Sequence, residues 1–146
     1  MSHDAYDLDR FVRAQETDYE RALSEITAGR KQTHWMWYIF PQLEGLGRSR
    51  VSAHYAISGT AEAGAYLAHP VLGPRLVECA EAVLLHKGTA ASGIFGYPDD
   101  LKLRSSATLF AAVSPPGSVF HQIIDAFFQG QADETTLRRL QSNEPR

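Results

Sequence analysis

Glycine and proline cut this chain into short pieces, and that punctuation limits its fold more than any other feature. Gly29, Pro41, Pro70, Gly73-Pro74, Gly88, Pro98, Pro115-Pro116-Gly117 and Gly130 each interrupt the apolar pattern. Between these breaks apolar residues recur three and four positions apart, the spacing of a helix face. No segment sustains period-two alternation, so paired strands with one wet face are not expected. No periodic run reaches the length that a regular four-helix bundle needs. The expectation is an all-α fold: a single domain over residues 1–146, with an ordered core from about 7 to 141. About seven short helices would pack in it at steep angles.

The individual helices follow from caps and stops. Asp7 is placed to cap a piece carrying Leu8, Phe11 and Val12. Thr17 and Glu20 fit a capping box in front of Tyr19, Ala22, Leu23 and Ile26, and Gly29 stands at the C′ position. These pieces are either two helices or one kinked helix. Thr33 as a cap and Pro41 as a stop bracket a short buried helix, and Gly45 and Gly47 open a turn-rich loop. One or two helical turns are expected over Val51 to Ile57, and a helix over Thr60 to Ala68, ended by His69-Pro70. Gly73-Pro74 suits an N-cap and first position for a stripe of Leu76, Cys79, Ala80, Val83 and Leu84, closed by Gly88. Residues 88–97 read as a loop. Pro98-Asp99-Asp100 opens a helix to about Val113, Ser118 caps one through Phe128, and Asp133 to Leu140 is a last amphipathic turn or two.

Composition narrows the class of function. A chain of 146 residues buries roughly two thirds of its unfolded surface without staples. The net charge of −3 supplies no basic field, so nucleic acid is not an expected partner. The single Cys79 excludes an intramolecular disulfide and a multi-Cys zinc site, and its place on the apolar stripe makes it a core thiol. An acidic start with no apolar h-region and the lack of a spanning-length apolar run point to a cytoplasmic protein with no membrane contact. The chain has no GxGxxG, P-loop, HExxH, GxSxG or EF-hand loop, so no cofactor and no metal are implied. His34, His54 and His69 have no ligand spacing.

Three stretches carry the candidate chemistry. The first, His34-Trp35-Met36-Trp37-Tyr38-Ile39-Phe40-Pro41-Gln42, holds both tryptophans of the protein. His34 is the candidate acid or base, set against a buried histidine that merely satisfies a backbone carbonyl. Trp35 and Trp37 are candidate walls for a planar ligand, set against plain core rings. Around them, residues 29–54 carry Arg30, Lys31, Arg48 and Arg50 against Glu44 alone, a basic rim suited to an anion. The second stretch is the helix from Asp99, where Lys102, Ser105 and Ser106 share one face. An ammonium and two hydroxyls there suit an oxyanion, with Asp100 orienting a cation. The opposing reading has small serines for close helix approach, their hydroxyls bonded back to carbonyls, and Lys102 paired to Asp99. The third is His69-Pro70-Val71-Leu72-Gly73-Pro74-Arg75, where Arg75 would clamp an anion near a helix start or pair with Glu78, Asp99 or Asp100.

Those three stretches, in that order and within a span from about Leu8 to Phe128, resemble a bacterial family of unknown function, domain-of-unknown-function family 1810. The resemblance implies a compact all-helical domain and carries over no reaction, cofactor or catalytic residue. Ala107 stands where many members have Met, a change of packing volume. Members often bear the label calpastatin. A calpain inhibitor of that kind is a disordered chain that folds on its target, whereas capped helices and buried aromatics describe a folded core here, so the label is set aside. Two functions compete. One is a small-molecule enzyme or binder with a polar pocket for an anionic or nucleotide-like ligand. The other is a non-catalytic interaction module with an unknown protein partner, whose motifs are core packing. Convergence of the three stretches on one concave site would separate them.

Overall fold

The computed structural model describes residues 4–47 and 49–143, so expectations for residues 1–3, for Arg48 and for 144–146 lie outside it. Among the described residues there are nine helices and no strand; an isolated parallel bridge joins Leu43 and Ile57. The helices are α1 (Asp9–Thr27), α2 (Met36–Ile39), α3 (Arg50–His54), α4 (Thr60–Ala68), α5 (Leu72–Leu84), α6 (Ala91–Phe95), α7 (Asp99–Ala111), α8 (Val119–Phe128) and α9 (Glu134–Asn143). No helix among them is long and apolar enough to cross a membrane. The all-α expectation holds, with nine helices among the described residues where about seven were expected.

The two N-terminal pieces are one helix. No glycine or proline separates them, and Phe11, Gln15, Ala22 and Ile26 form one buried face of α1. The proposed capping box at Thr17 therefore falls mid-helix and caps nothing. Gly29 ends α1 as expected: at φ +80° it lets its own N–H reach the Ile26 carbonyl and that of Arg30 reach Glu25, the Schellman pattern. Arg10, unremarked in the sequence, is buried. It donates to the carbonyls of Tyr6, Asp7, His54 and Ala56 and pairs with Glu62 at 2.9 Å. One guanidinium thus ties α1 to the approach and start of α4.

Two helices form the centre. α5 packs on α1, α4 and α8, and α7 packs on α4, α6, α8 and α9. Every residue of α7 from Ser105 to Ala111 is buried, as befits a helix covered on all sides. A line of touching rings crosses these layers, from Phe11 to Tyr66, Phe110 and Phe120, with centroids 5.1–5.6 Å apart. The span 88–97 is not a plain loop. It contains α6, which buries Ile94 and Phe95 and sets Phe95 edge-on to Trp35 and Phe40. His69 ends α4, and its Nδ1 accepts from the N–H groups of Val71 and Leu72. α5 therefore begins at Leu72, two residues before Pro74, capped by a ring rather than by Gly73. Ser118 caps α8 as read, accepting from the His121 N–H.

Candidate functional site

The aromatic stretch divides by depth. Trp35, Met36, Ile39 and Phe40 enter the core, while Trp37 and Tyr38 remain half-buried at its edge. The division is enforced by Glu25. Its carboxylate accepts from the backbone N–H groups of Gln32 and Thr33, the Thr33 hydroxyl and the Trp35 indole N–H. Burial works against the charge, but these donors outweigh it and hold the carboxyl down at about 2. Thr33 thus serves Glu25 and caps no helix, and α2 is reduced to a single turn beginning after Trp35.

Trp37 lines two adjoining hollows, of about 300 and 360 Å³. Both are also walled by Gln42, Gly47 and Ser52. The wall is fixed at its base, where the Ile57 N–H donates to the Gln42 carbonyl at 2.9 Å and the Glu44 N–H to Ile57 at 2.8 Å. Arg139 of α9 donates to the Glu44 carbonyl and holds the loop from the far side. Gly47 is required for closeness: a Cβ there would stand 2.5 Å from the Ser52 side chain. The smaller hollow adds Lys102 and Ser105 from α7 and Asp133 and Thr135 from the start of α9. The larger one adds Glu44 and Tyr55.

Lys102 is the charged centre of this place. Its Nζ stands 4.5 Å from the centre of the Trp37 ring, a cation–π distance. It also bonds Asp99 at 3.1 Å, and Asp99 bonds Lys31 at 2.9 Å with its other oxygen. Burial opposes the charge of Asp99, but the hydrogen bonds and charges of the two lysines prevail and keep its carboxyl below the usual range. Lys31 is itself buried, donating to the Thr33 carbonyl and lying 4.9 Å over Trp35.

Of the residues picked from the sequence, the fold brings Trp37, Lys102 and Ser105 to one concave place. The others lie elsewhere. His34 is exposed and lines neither hollow; its backbone carbonyl, which accepts from the Tyr38 hydroxyl, makes the contact. Trp35 is sealed in the core. Arg75 sits in the α1–α5 seam, donating to Gln15 at 3.3 Å and stacking 4.8 Å over Tyr19, so the stretch from His69 contributes no wall. Asp100 orients no cation: its Oδ1 is buried without a protein partner, and Asp99 holds the lysines instead. Ser106 is 1% exposed, beneath the surface, whereas Ser105 bonds back to the Leu101 carbonyl as the competing reading had it. Of the expected basic rim, Arg30, Lys31 and Arg50 line neither hollow: the Lys31 side chain turns inward, and Arg30 and Arg50 are exposed elsewhere; Arg48 lies outside the described residues. Cys79 is buried, and desolvation pushes its thiol up to about 12, the state of an inert core thiol.

Sequence reasoning missed Gln42, Gly47, Ser52 and the second lysine on Asp99. Gln42 closed the quoted stretch and carried that much signal. Lys31 was marked only as one of the basic residues of 29–54, and Ser52 gave no signal beyond its residue type.

Among known proteins, the family described as protein of unknown function (DUF1810) matches residues 5–140. The crystal structure of the conserved hypothetical protein Rv1873 from Mycobacterium tuberculosis is similar, with a TM-score of 0.92 and 46% identity. That match covers 94% of this chain and 99% of the other. No curated protein matches. A match over nearly the whole length, in sequence and in the course of the backbone, makes this chain a member of the DUF1810 family.

Proposed function

We propose that the protein binds a small anionic, nucleotide-like molecule, with a flat ring and an oxyanion, in the hollows around Trp37. The observation that carries this reading is the Lys102 ammonium, held over the Trp37 ring at the edge of a space walled by Gln42, Ser52 and Ser105. An oriented cation, an aromatic face and a few convergent polar groups are what a small-molecule site offers. Larger hollows exist, of about 780 Å³ between α5 and the start of α8, about 610 Å³ along the start of α9 and about 410 Å³ between α7, α8 and α9. The first and last are mostly apolar and hold no lysine or arginine; the 610 Å³ hollow holds Arg104 and Arg138, but Arg104 is spent on the Gln131 and Ala132 carbonyls, Asp133 and Glu134 oppose the arginines, and no ring lines it for a flat ligand. In this reading Trp37, Lys102 and Ser105 touch the ligand. Trp35, Arg75, Asp100 and Ser106 serve the fold, and His34 is given no proton to move. The lone buried thiol suits a reducing cytoplasm.

The test is a thermal-shift screen against a panel of anionic metabolites, run on the wild type and on Lys102→Ala. A ligand that raises the melting temperature of the wild type alone supports the site. The second reading, a protein-interaction module, draws on Tyr97 and Leu101, which are 79% and 45% exposed on either side of Pro98 at the rim. A panel with no stabilising compound favours it.

A further inference from the structure

The segment that walls the hollow of about 360 Å³ is extended, and its side chains alternate. Leu43 pairs with Ile57 in the parallel bridge, and the amides on either side complete the ladder, Ile57 N–H to the Gln42 carbonyl and Glu44 N–H to the Ile57 carbonyl. Successive residues of an extended chain point to opposite sides. Leu43 is 1% exposed and belongs to the core. Gln42 and Glu44 therefore turn the other way together, about 7 Å apart along the chain, and both line the hollow. Two polar side chains thus stand side by side on a fixed piece of backbone. The Tyr55 ring closes the hollow beside them, packed on Tyr38 and Phe11 with centroids 5.2 and 5.7 Å away.

The two side chains differ in what they offer a ligand. Among the described residues that line this hollow, Glu44 alone is charged. A carboxylate has two acceptor oxygens and nothing to donate, whereas the Gln42 amide can donate. No ion pair among the described residues engages Glu44. Arg139 bonds its backbone carbonyl instead, with the guanidinium laid against Gly45. A flat heterocycle that meets this pair edge-on must bring two adjacent N–H donors to the carboxylate and an acceptor to the amide. Among the common bases, guanine alone carries that order, in its exocyclic amine, N1–H and O6. Adenine would turn the lone pair of its ring N1 towards the carboxylate.

We infer that this hollow takes a guanine ring, with Glu44 accepting from the N1–H and the exocyclic amine and Gln42 donating to O6. The inference rests on the reading of the hollows as a ligand site and gives the flat ring a chemical class. It concerns hydrogen bonding at the edge of the ring, whatever charge the rest of the ligand carries. Trp37 borders both hollows, and the smaller one is left for what the ring bears.

The test uses neutral nucleosides, so that the charges around Lys102 do not enter the comparison. Guanosine, inosine, N1-methylguanosine and adenosine are titrated into the intact protein while the indole N–H of Trp37 is followed by NMR. The Trp35 indole serves as an internal reference in the core. Guanosine is expected to bind roughly tenfold more tightly than inosine, which lacks the amine, and than N1-methylguanosine, which lacks the ring donor. Adenosine should do no better than these two. Glu44→Gln keeps the size of an exposed side chain but puts a donor among the required acceptors. It should bring the guanosine-to-inosine ratio near one. Gln42→Glu sets an acceptor against O6 and should weaken guanosine and inosine alike, leaving their ratio as in the wild type. Equal binding of guanosine and inosine by the wild type, adenosine as the best binder, an unchanged ratio in Glu44→Gln, or undiminished guanosine binding in Gln42→Glu overturns the inference while leaving the site standing. If no nucleoside moves the Trp37 signal, the site itself falls, and the inference with it.

Discussion

A single carboxylate, Glu25, decides which tryptophan belongs to the core. Four donors from the 32–35 segment converge on it, and its carboxyl is held at about 2 against an ordinary 4.5. A depressed acid stabilises the fold above its unfolded value, and that stabilisation disappears as pH falls through the folded value. The contribution is therefore complete above about pH 4.5 and lost on the way to about pH 2. Glu25→Gln keeps one acceptor and loses the charge. It should lower stability at neutral pH by about 1–2 kcal/mol, discounted for the solvent-facing side of the group. It should also flatten the dependence of the urea midpoint on pH between 4.5 and 2. An equally steep curve in the variant would assign the acid sensitivity to other carboxylates, Asp99 among them. Glu25 left little sign in one dimension, because an acid in the middle of a helix pattern looks like a solvated face until the chain folds back over it. Trp37, Lys102 and Ser105 were legible, since an aromatic beside ionisable groups and small hydroxyls is unusual in an apolar stretch. Arg75 and His34 looked the same in one dimension, and only packing distinguishes a guanidinium stacked on Tyr19 from one that faces a hollow.

At the level of elements, some bounds were legible in the sequence and others were not. Thr60–Ala68 and the Ser118-capped helix emerged with the bounds that their caps imply. The start of α5 did not, because the cap is the His69 ring, and a histidine before a proline resembles a terminator only. Short helices such as α6 were hidden for another reason. Residues of low helix propensity, Ser92 and Gly93, fold there under the pull of Ile94 and Phe95 on the core. The α4–α5 corner is the tightest of these junctions. A Cβ on Gly73 would lie 2.1 Å from the Leu67 carbonyl oxygen, and backbone cannot yield as a side chain can. Gly73→Ala should cost about 1–3 kcal/mol, read as a lower urea midpoint with an unchanged slope. A neutral result would mean that the corner opens freely.

For the whole molecule, the arrangement is a core threaded by α7 with a peripheral layer that includes α3 and the 43–49 loop. Stability should follow that division. In native-state hydrogen exchange, the amides of Ala107 to Ala111 are expected to open only with global unfolding, and those of Gly45 to Gly47 and Ser49 to Ser52 at far lower cost. Equal protection in both would contradict a layered molecule. The multihelical architecture was readable from punctuation alone, whereas the meeting of two distant stretches at Trp37 was not, because convergence depends on the Leu43–Ile57 bridge and on α9 reaching back to Glu44. The helix that supplies Lys102 and Ser105 is the same one whose stretch from Ser105 to Ala111 is buried without a gap. Drift on that flank of the hollow is consequently penalised through packing whatever the hollow holds. Under the proposed reading, relatives that take different ligands should differ in the loop before α3 and in the first turn of α9, keeping α7 as the shared anvil on which each specificity is shaped.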